Sequence, residues 1–264
     1  MDCVESYAAE VSRTFRAEFD SAVDRFKDSR KLIERFTSNI SAVLSNGRST
    51  FAPVDAAHNE LCIASQLLAN TNPRFTRLQY EPVIRGSPKS IDFRAITDDG
   101  CTFFVDVKTI KPEARERWEQ YDRAVRGGWF PKNVRVTRSE NWLGGELWHS
   151  MFAARTRMLE YTVELEVKIR DCKLEDDRTV FILALCGEGF HWRKRGLEDF
   201  VSFYRTGSHR AHDPFSKMET QYIAENKIAL ARTITRFACM NRGQREIRHG
   251  RLDWDVHPST FEPS

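Results

Sequence analysis

The stretch Ser90 to Ile110, SIDFRAITDDGCTFFVDVKTI, holds two strand-like runs joined by Asp98-Asp99-Gly100. An Asp-Gly between two such runs is a hairpin signal, because glycine enters the left-handed backbone region without a steric penalty. Ser90 to Thr97 and Cys101 to Ile110 are therefore expected to pair as antiparallel strands. Side chains alternate across a strand, so Phe104, Asp106 and Lys108 share one face, and Phe103, Val105 and Val107 the other. Asp92 falls opposite or diagonal to the first set, within the ~5 to 8 Å that separates cross-strand neighbours on one face.

Charged strand residues ordinarily sit on a solvent-facing edge. The neighbours Ile91, Phe93, Phe103, Phe104, Val105 and Val107 are too apolar for that reading. Two converging carboxylates repel unless a proton or cation intervenes, and hard oxygen ligands select Mg²⁺ or Mn²⁺ over softer metals. The main-chain carbonyl of Val107 offers a further oxygen if the strand bends there. Lys108 then faces the site without binding the ion, placed to orient a water and to stabilise negative charge on a phosphate.

Upstream, RLQYEPVIRG (Arg77 to Gly86) reads as a third strand, and VDAAHNELCIASQLLAN (Val54 to Asn70) as a helix. Asp55 is its expected N-cap, Leu61, Ala64, Leu67 and Leu68 line its inner face, and Glu60 lies in its first half. The first 47 residues show helical spacing in two segments, expected either to cap the core or to pair with a second copy of the chain. Downstream, PEARERWEQYDRAV reads as a charged helix ended by Gly127-Gly128. A basic, aromatic loop follows, with Lys132, Arg135 and Arg138 as candidate contacts to a nucleic-acid backbone. Glu146 to Cys172 is expected to be the longest helix, TVFILALCG (Thr179 to Gly187) a strand buried on both faces, and Met218 to Phe237 helical. The expected organisation is a helical segment over 1–47, a core over 48–190 and a basic extension over 191–264 packed on it.

The 264-residue chain is 41% hydrophobic, enough for a substantial core. Its net charge of +3 is uneven: His191 to Arg251 carries 13 basic against 6 acidic residues, which suits a polyanionic partner. The six cysteines are scattered, without the spacing of a zinc site or a disulfide framework. Met1 to Glu10 is acidic and lacks an apolar signal region, and no run of 18 apolar residues occurs, so a cytoplasmic protein without a membrane partner is expected. Neither a GxxxxGK[ST] phosphate loop, nor HExxH, nor GxSxG is present, which disfavours an ATP-driven motor, a zincin and a serine hydrolase.

The order of helix with Glu60, strand, strand with Ile91-Asp92, turn, strand with Asp106-Val107-Lys108, helix and buried strand resembles the PD-(D/E)XK nuclease superfamily over Asp55 to Gly187. In that family an Asp followed by (Asp/Glu)-x-Lys binds Mg²⁺ and cleaves phosphodiester bonds, and an upstream helical Glu often joins the site. The resemblance implies an α/β, restriction-endonuclease-like fold, a central mixed sheet flanked by helices, with a helical N-terminal segment and a mostly helical C-terminal part. It makes Asp92 and Asp106 metal ligands together with the Val107 carbonyl, Lys108 the catalytic lysine, and Glu60 a metal or water ligand. Mg²⁺ is the implied cofactor, with Mn²⁺ as substitute, and duplex DNA the substrate of an endonuclease of restriction or anti-phage defence type. A homodimer is expected if both strands are cut. The alternative is a nucleic-acid-binding or protein-interaction module without catalysis.

Overall fold

The structure, a computed structural model, describes residues 2–46, 52–84, 90–110, 125–128, 136–140, 146–173, 178–188, 194–242, 247 and 253–256. Three helices, α1 (Asp2–Asp20), α2 (Ser29–Asn46) and α3 (Ala52–Ala69), lead into β1 (Phe75–Tyr80), β2 (Phe93–Thr97) and β3 (Thr102–Thr109). A separate two-stranded ribbon, β4 (Val136–Glu140) with β5 (Glu146–Ser150), precedes α4 (Met151–Cys172). Then come β6 (Thr179–Glu188), α5 (Lys194–Thr206), α6 (Ser216–Asn226), β7 (Arg236–Arg242) and β8 (Asp253–Val256). The main sheet runs β1-β2-β3-β6-β7-β8, antiparallel on both sides of β2, parallel from β3 through β6 to β7, and antiparallel again at β8. The described residues thus form a mixed α/β fold with helices on both faces of one six-stranded sheet.

The expected hairpin is formed. Gly100 takes φ +84°, the Thr97 N–H donates to the Cys101 carbonyl at 3.0 Å, and Phe93 faces Val105 across the ladder. The two faces of β3 separate as its alternation dictates. Phe103, Val105 and Val107 enter a core shared with α1, α2 and α3, while Phe104 enters a second core under α4 and α5. β6 supplies both cores, with Ile182, Ala184 and Cys186 on one side and Phe181, Leu183 and Leu185 on the other. Cys62, Cys172 and Cys186 are buried thiols.

The N-terminal helices cap the core. Phe15, Phe19, Phe26 and Phe36 are fully buried in the same cluster as the sheet residues. Tyr7 donates to His58 Nδ1 at 2.6 Å, and His58 Nε2 therefore donates to the Ile247 carbonyl at 2.8 Å, joining α1 and α3 to the chain before β8. Truncating one of these phenylalanines to Ala removes ~3–5 kcal/mol, a large share of the ~5–15 kcal/mol that stabilises a typical domain.

Four element boundaries differ from expectation. β1 ends at Tyr80 because Glu81 adopts φ +43° and Pro82 has no N–H for a ladder. α3 begins at Ala52, so Asp55 is a first-turn acid rather than the N-cap, still favourable toward the helix dipole. Glu146 to Ser150 belong to β5, and the long helix starts at Met151. The helical spacing from Met218 to Phe237 stops at Asn226, because Lys227 turns left-handed at φ +51° and the Ile228 N–H closes onto the Ile223 carbonyl. The Ala231 and Arg232 N–H groups then donate to buried Glu166, and that of Ile234 to the Tyr204 hydroxyl, which in turn donates to Glu166. This holds the segment extended until it joins the sheet as β7, so residues after 190 contribute two strands as well as two helices. The expected helix over 112–125 lies almost wholly outside the described residues; Val125 and Arg126 are helical.

Under α4 and α6 lies a buried ionic knot. Arg155, with no exposed surface, donates to Glu219 at 2.5 and 2.7 Å, to Asp213 at 2.9 Å and to the Gly196 carbonyl at 3.1 Å. Burial raises the Asp213 pKa, but His209, Arg155 and the Phe215 N–H outweigh it and lower the value to about 2. Removing the cation strands two buried carboxylates: Arg155→Met is expected to lose ~3–5 kcal/mol in urea unfolding. The folded-state pKa of Asp213 lies below its ordinary 3.8, so its ionised form contributes stability above that pH and loses it as pH falls through about 2. The stability gap between wild type and Asp213→Asn should therefore be widest at neutral pH and narrow in urea titrations repeated near pH 2.5.

Candidate functional site

On the α4 face of β3, Asp106 and Lys108 stand two residues apart, about 6.7 Å along the strand. Directly over them α4 carries Glu164 and Lys168, one turn or about 6 Å apart. The two spacings match, and two opposite-charge pairs form across the layer. Lys168 Nζ reaches Asp106 Oδ1 at 2.6 Å, and Lys108 Nζ reaches Glu164 Oε2 at 2.8 Å. Lys108 also lies 3.5 Å from Asp106 Oδ2 and 5.4 Å from the centroid of the Tyr161 ring. Tyr161 is itself fixed by donating to the Thr109 carbonyl at 3.0 Å. Burial lowers the Lys108 pKa, but Asp106, Glu164 and Asp92 outweigh it, so the ammonium is held charged.

Asp92 enters where β2 leaves β3. The last ladder pair is Phe93 with Val105, and at the next open position the Asp92 carboxylate accepts the Val107 N–H at 2.6 Å. The backbone of Asp92 is held from the other side by the Glu81 N–H, at 2.8 Å. A residue's N–H and C=O leave a strand on the same side, so the Val107 carbonyl also faces the gap that β2 vacates. Burial, then the charges of Asp106 and Glu60, push the Asp92 carboxyl well above the usual carboxylate range, against the Val107 N–H and Lys168.

Glu60 approaches from α3, whose preceding residue Asn59 donates to Thr109 Oγ1 at 2.8 Å and pins the helix to the end of β3. Glu60 accepts from the Tyr80 hydroxyl at 2.7 Å and lies 3.3 Å from Arg35 of α2. Burial raises its pKa over the opposing pull of Arg35 and Tyr80. The same shift carries contributions from Glu81 and Asp106, which places Glu60 within electrostatic reach of the acid pair.

The structure therefore brings together Asp92, Asp106, Val107 and Lys108, and sets Glu60 beside them on its own network. Asp106 is fully buried, yet its Oδ2 makes no hydrogen bond. The one ion-pair partner of that oxygen among the described residues is the Lys108 ammonium at 3.5 Å, without a hydrogen bond, and a buried acceptor without a hydrogen bond costs ~1–3 kcal/mol, which a closer cation would recover. With Asp92 alongside and the Val107 carbonyl in the same gap, the donor set is all oxygen and suits a hard divalent ion. Among the described residues, three His, Cys, Asp or Glu side chains bring ligand atoms within 4.8 Å of one another at His209, Asp213 and Glu219, where Arg155 already engages both acids, whereas Asp92, Asp106 and Glu60 do not gather that closely. Lys132 and Arg135 lie outside the described residues; Arg138 lies on β4, opposite Trp148. Among the described residues no helix is long and apolar enough to cross a membrane. The chain matches no family model, no curated protein and no solved structure.

Lys168 and Glu164 escaped the reading of the sequence. Their signal was present as an i, i+4 pair of opposite charge beside Tyr161 on a helix otherwise read for its apolar stripe. Arg35 and Tyr80 left no such trace, since only the fold brings them to Glu60.

Crowded acids make a binding site that costs stability when empty. Asp92→Asn keeps an acceptor for the Val107 N–H and removes one of the like charges. Its melting temperature in EDTA at neutral pH should rise by about 2 °C or more over wild type, measured by calorimetry.

Proposed function

We propose that the protein is a metal-dependent nuclease of the PD-(D/E)XK type, hydrolysing phosphodiester bonds in DNA. The observation that carries this reading is the buried Asp106 carboxylate, whose Oδ2 accepts no hydrogen bond and has Lys108 at 3.5 Å, with Asp92 bound to the Val107 N–H beside it. The order of elements supports it as well: α3, three antiparallel strands and, after the β4-β5 ribbon, α4 and then β6 parallel to β3, a succession like that expected of a restriction-endonuclease-like core with an inserted ribbon.

In this reading Asp92, Asp106 and the Val107 carbonyl hold Mg²⁺ or Mn²⁺, and Glu60 adds negative charge from the α3 side. The ion supplies a water activated for attack and offsets charge on the phosphate. Lys108, kept charged by Asp106 and Glu164, orients that water and donates to a non-bridging phosphate oxygen as negative charge develops there. Attack in line with the leaving 3′ oxygen breaks the backbone. Duplex DNA is the substrate we favour, with an endonuclease role of restriction or defence type; cutting both strands then calls for two copies of the chain.

The test is incubation with supercoiled plasmid, with and without Mg²⁺ or Mn²⁺. Wild type should nick or linearise it only with the metal, and Lys108→Met and Asp106→Asn should each slow the reaction by on the order of 10²- to 10³-fold while eluting as folded protein. Metal-independent cutting, undiminished cutting by Asp106→Asn, or no cutting of plasmid, single-stranded DNA or RNA by wild type overturns the proposal.

A further inference from the structure

The two lysines at Asp106 are not equivalent. Lys108 is held three ways, by Glu164 Oε2 at 2.8 Å, by Asp106 Oδ2 at 3.5 Å and by the face of Tyr161. Lys168 comes from the other layer of the molecule and, among the described residues, has Asp106 Oδ1 as its one polar partner, at 2.6 Å. Its side chain keeps 17% of its surface exposed, whereas the carboxylate it covers has none. A flexible four-carbon stem with an open flank can withdraw toward solvent, and an ammonium in water loses little. The buried Asp106 carboxylate has no such choice: once Lys168 withdraws, Lys108 at 3.5 Å from Oδ2 is the one cation left beside it among the described residues, and Oδ1 is open to another.

We propose that Lys168 is an internal counter-ion of this site, a positioning residue that neutralises Asp106 in the metal-free protein and competes with the divalent cation for it. This inference rests on the nuclease reading above and adds a residue outside the D…DxK pattern. Two features point to Lys168 rather than Lys108 as the exchangeable partner: Asp106 is its one hydrogen-bond partner among the described residues, and it sits on the helix instead of the ligand strand. With a divalent ion bound, the released ammonium would stay on α4, about one helical turn from Glu164. The chain therefore supplies Asp106 with a charge of its own, and metal binding is an exchange of cations.

The experiment is a titration with MnCl₂ alone, followed by calorimetry and by thermal shift, on wild type, Lys168→Met, Lys168→Arg and Asp106→Asn. Removing a competing charge should tighten Mn²⁺ binding by about tenfold in Lys168→Met, leave Lys168→Arg close to wild type, and abolish binding in Asp106→Asn. Lys168→Met should also shift plasmid cleavage to lower metal concentration. A lysine with a merely structural role would change melting temperature in EDTA without changing metal affinity. If Lys168→Met does not fold, Lys168→Gln serves the same comparison. Unchanged or weaker Mn²⁺ binding in the folded neutral variant, with binding lost in Asp106→Asn, overturns the counter-ion role and leaves the nuclease reading standing. Absence of Mn²⁺ binding by wild type and Lys168→Met alike overturns both.

Discussion

A carboxylate sits buried in the middle of a sheet, between apolar neighbours along its strand and across it, and much of the molecule is arranged around that fact. Asp106 has Val105 and Val107 as chain neighbours and Leu183 as its partner on β6, and it is fully buried. An isolated charge in such a place would have to be neutralised. The two lysines, the match between strand rise and helix turn, and the seating of α4 over β3 all serve that requirement. It is met by a hydrogen-bonded ion pair on one carboxylate oxygen and by a longer ion pair on the other.

The surroundings of this charge divide into rigid and adjustable parts. β3 and β6 are locked by a parallel ladder over eight residue pairs, and Asn59 and Tyr161 fasten α3 and α4 to Thr109 at its end. Against this frame stand the long side chains of Lys108, Lys168 and Glu164, each with some exposure. Precision in the acids and latitude in the bases is what a site needs if it must hold charge in one place and receive a charged guest in another.

The hairpin and the Asp92, Asp106 and Lys108 set were legible because period-two alternation and the Asp-Gly turn are local properties. The double burial of Thr179 to Gly187 was legible for the same reason. What stayed hidden was set by tertiary context. Lys227 and Arg232 adopt left-handed backbone without being glycine, Lys227 closing its own helix onto the Ala224 carbonyl and Arg232 held by Glu166 and Tyr204 from distant helices, so the helical spacing overran its true end. The polar ends of Arg236 to Arg242 disguised a strand that lies against β6. Glu146 to Ser150 carries apolar residues that fit the helix register but pairs with β4 instead. Lys168 was invisible as a site residue because its meaning depends on which face of α4 meets the sheet.

The bond from the Val107 N–H to Asp92 ties side-chain length to backbone architecture. At the point where β2 departs, the carboxylate replaces a missing strand neighbour and reaches the Val107 N–H at 2.6 Å. Glutamate, one methylene longer, would have to buckle or push the two strands further apart, although its chemistry toward a cation is nearly the same. The choice of aspartate at this position is thus made by the sheet's geometry as much as by its charge, and the same hydrogen bond fixes the rotamer before any guest arrives, so no conformational entropy remains to be lost there on binding.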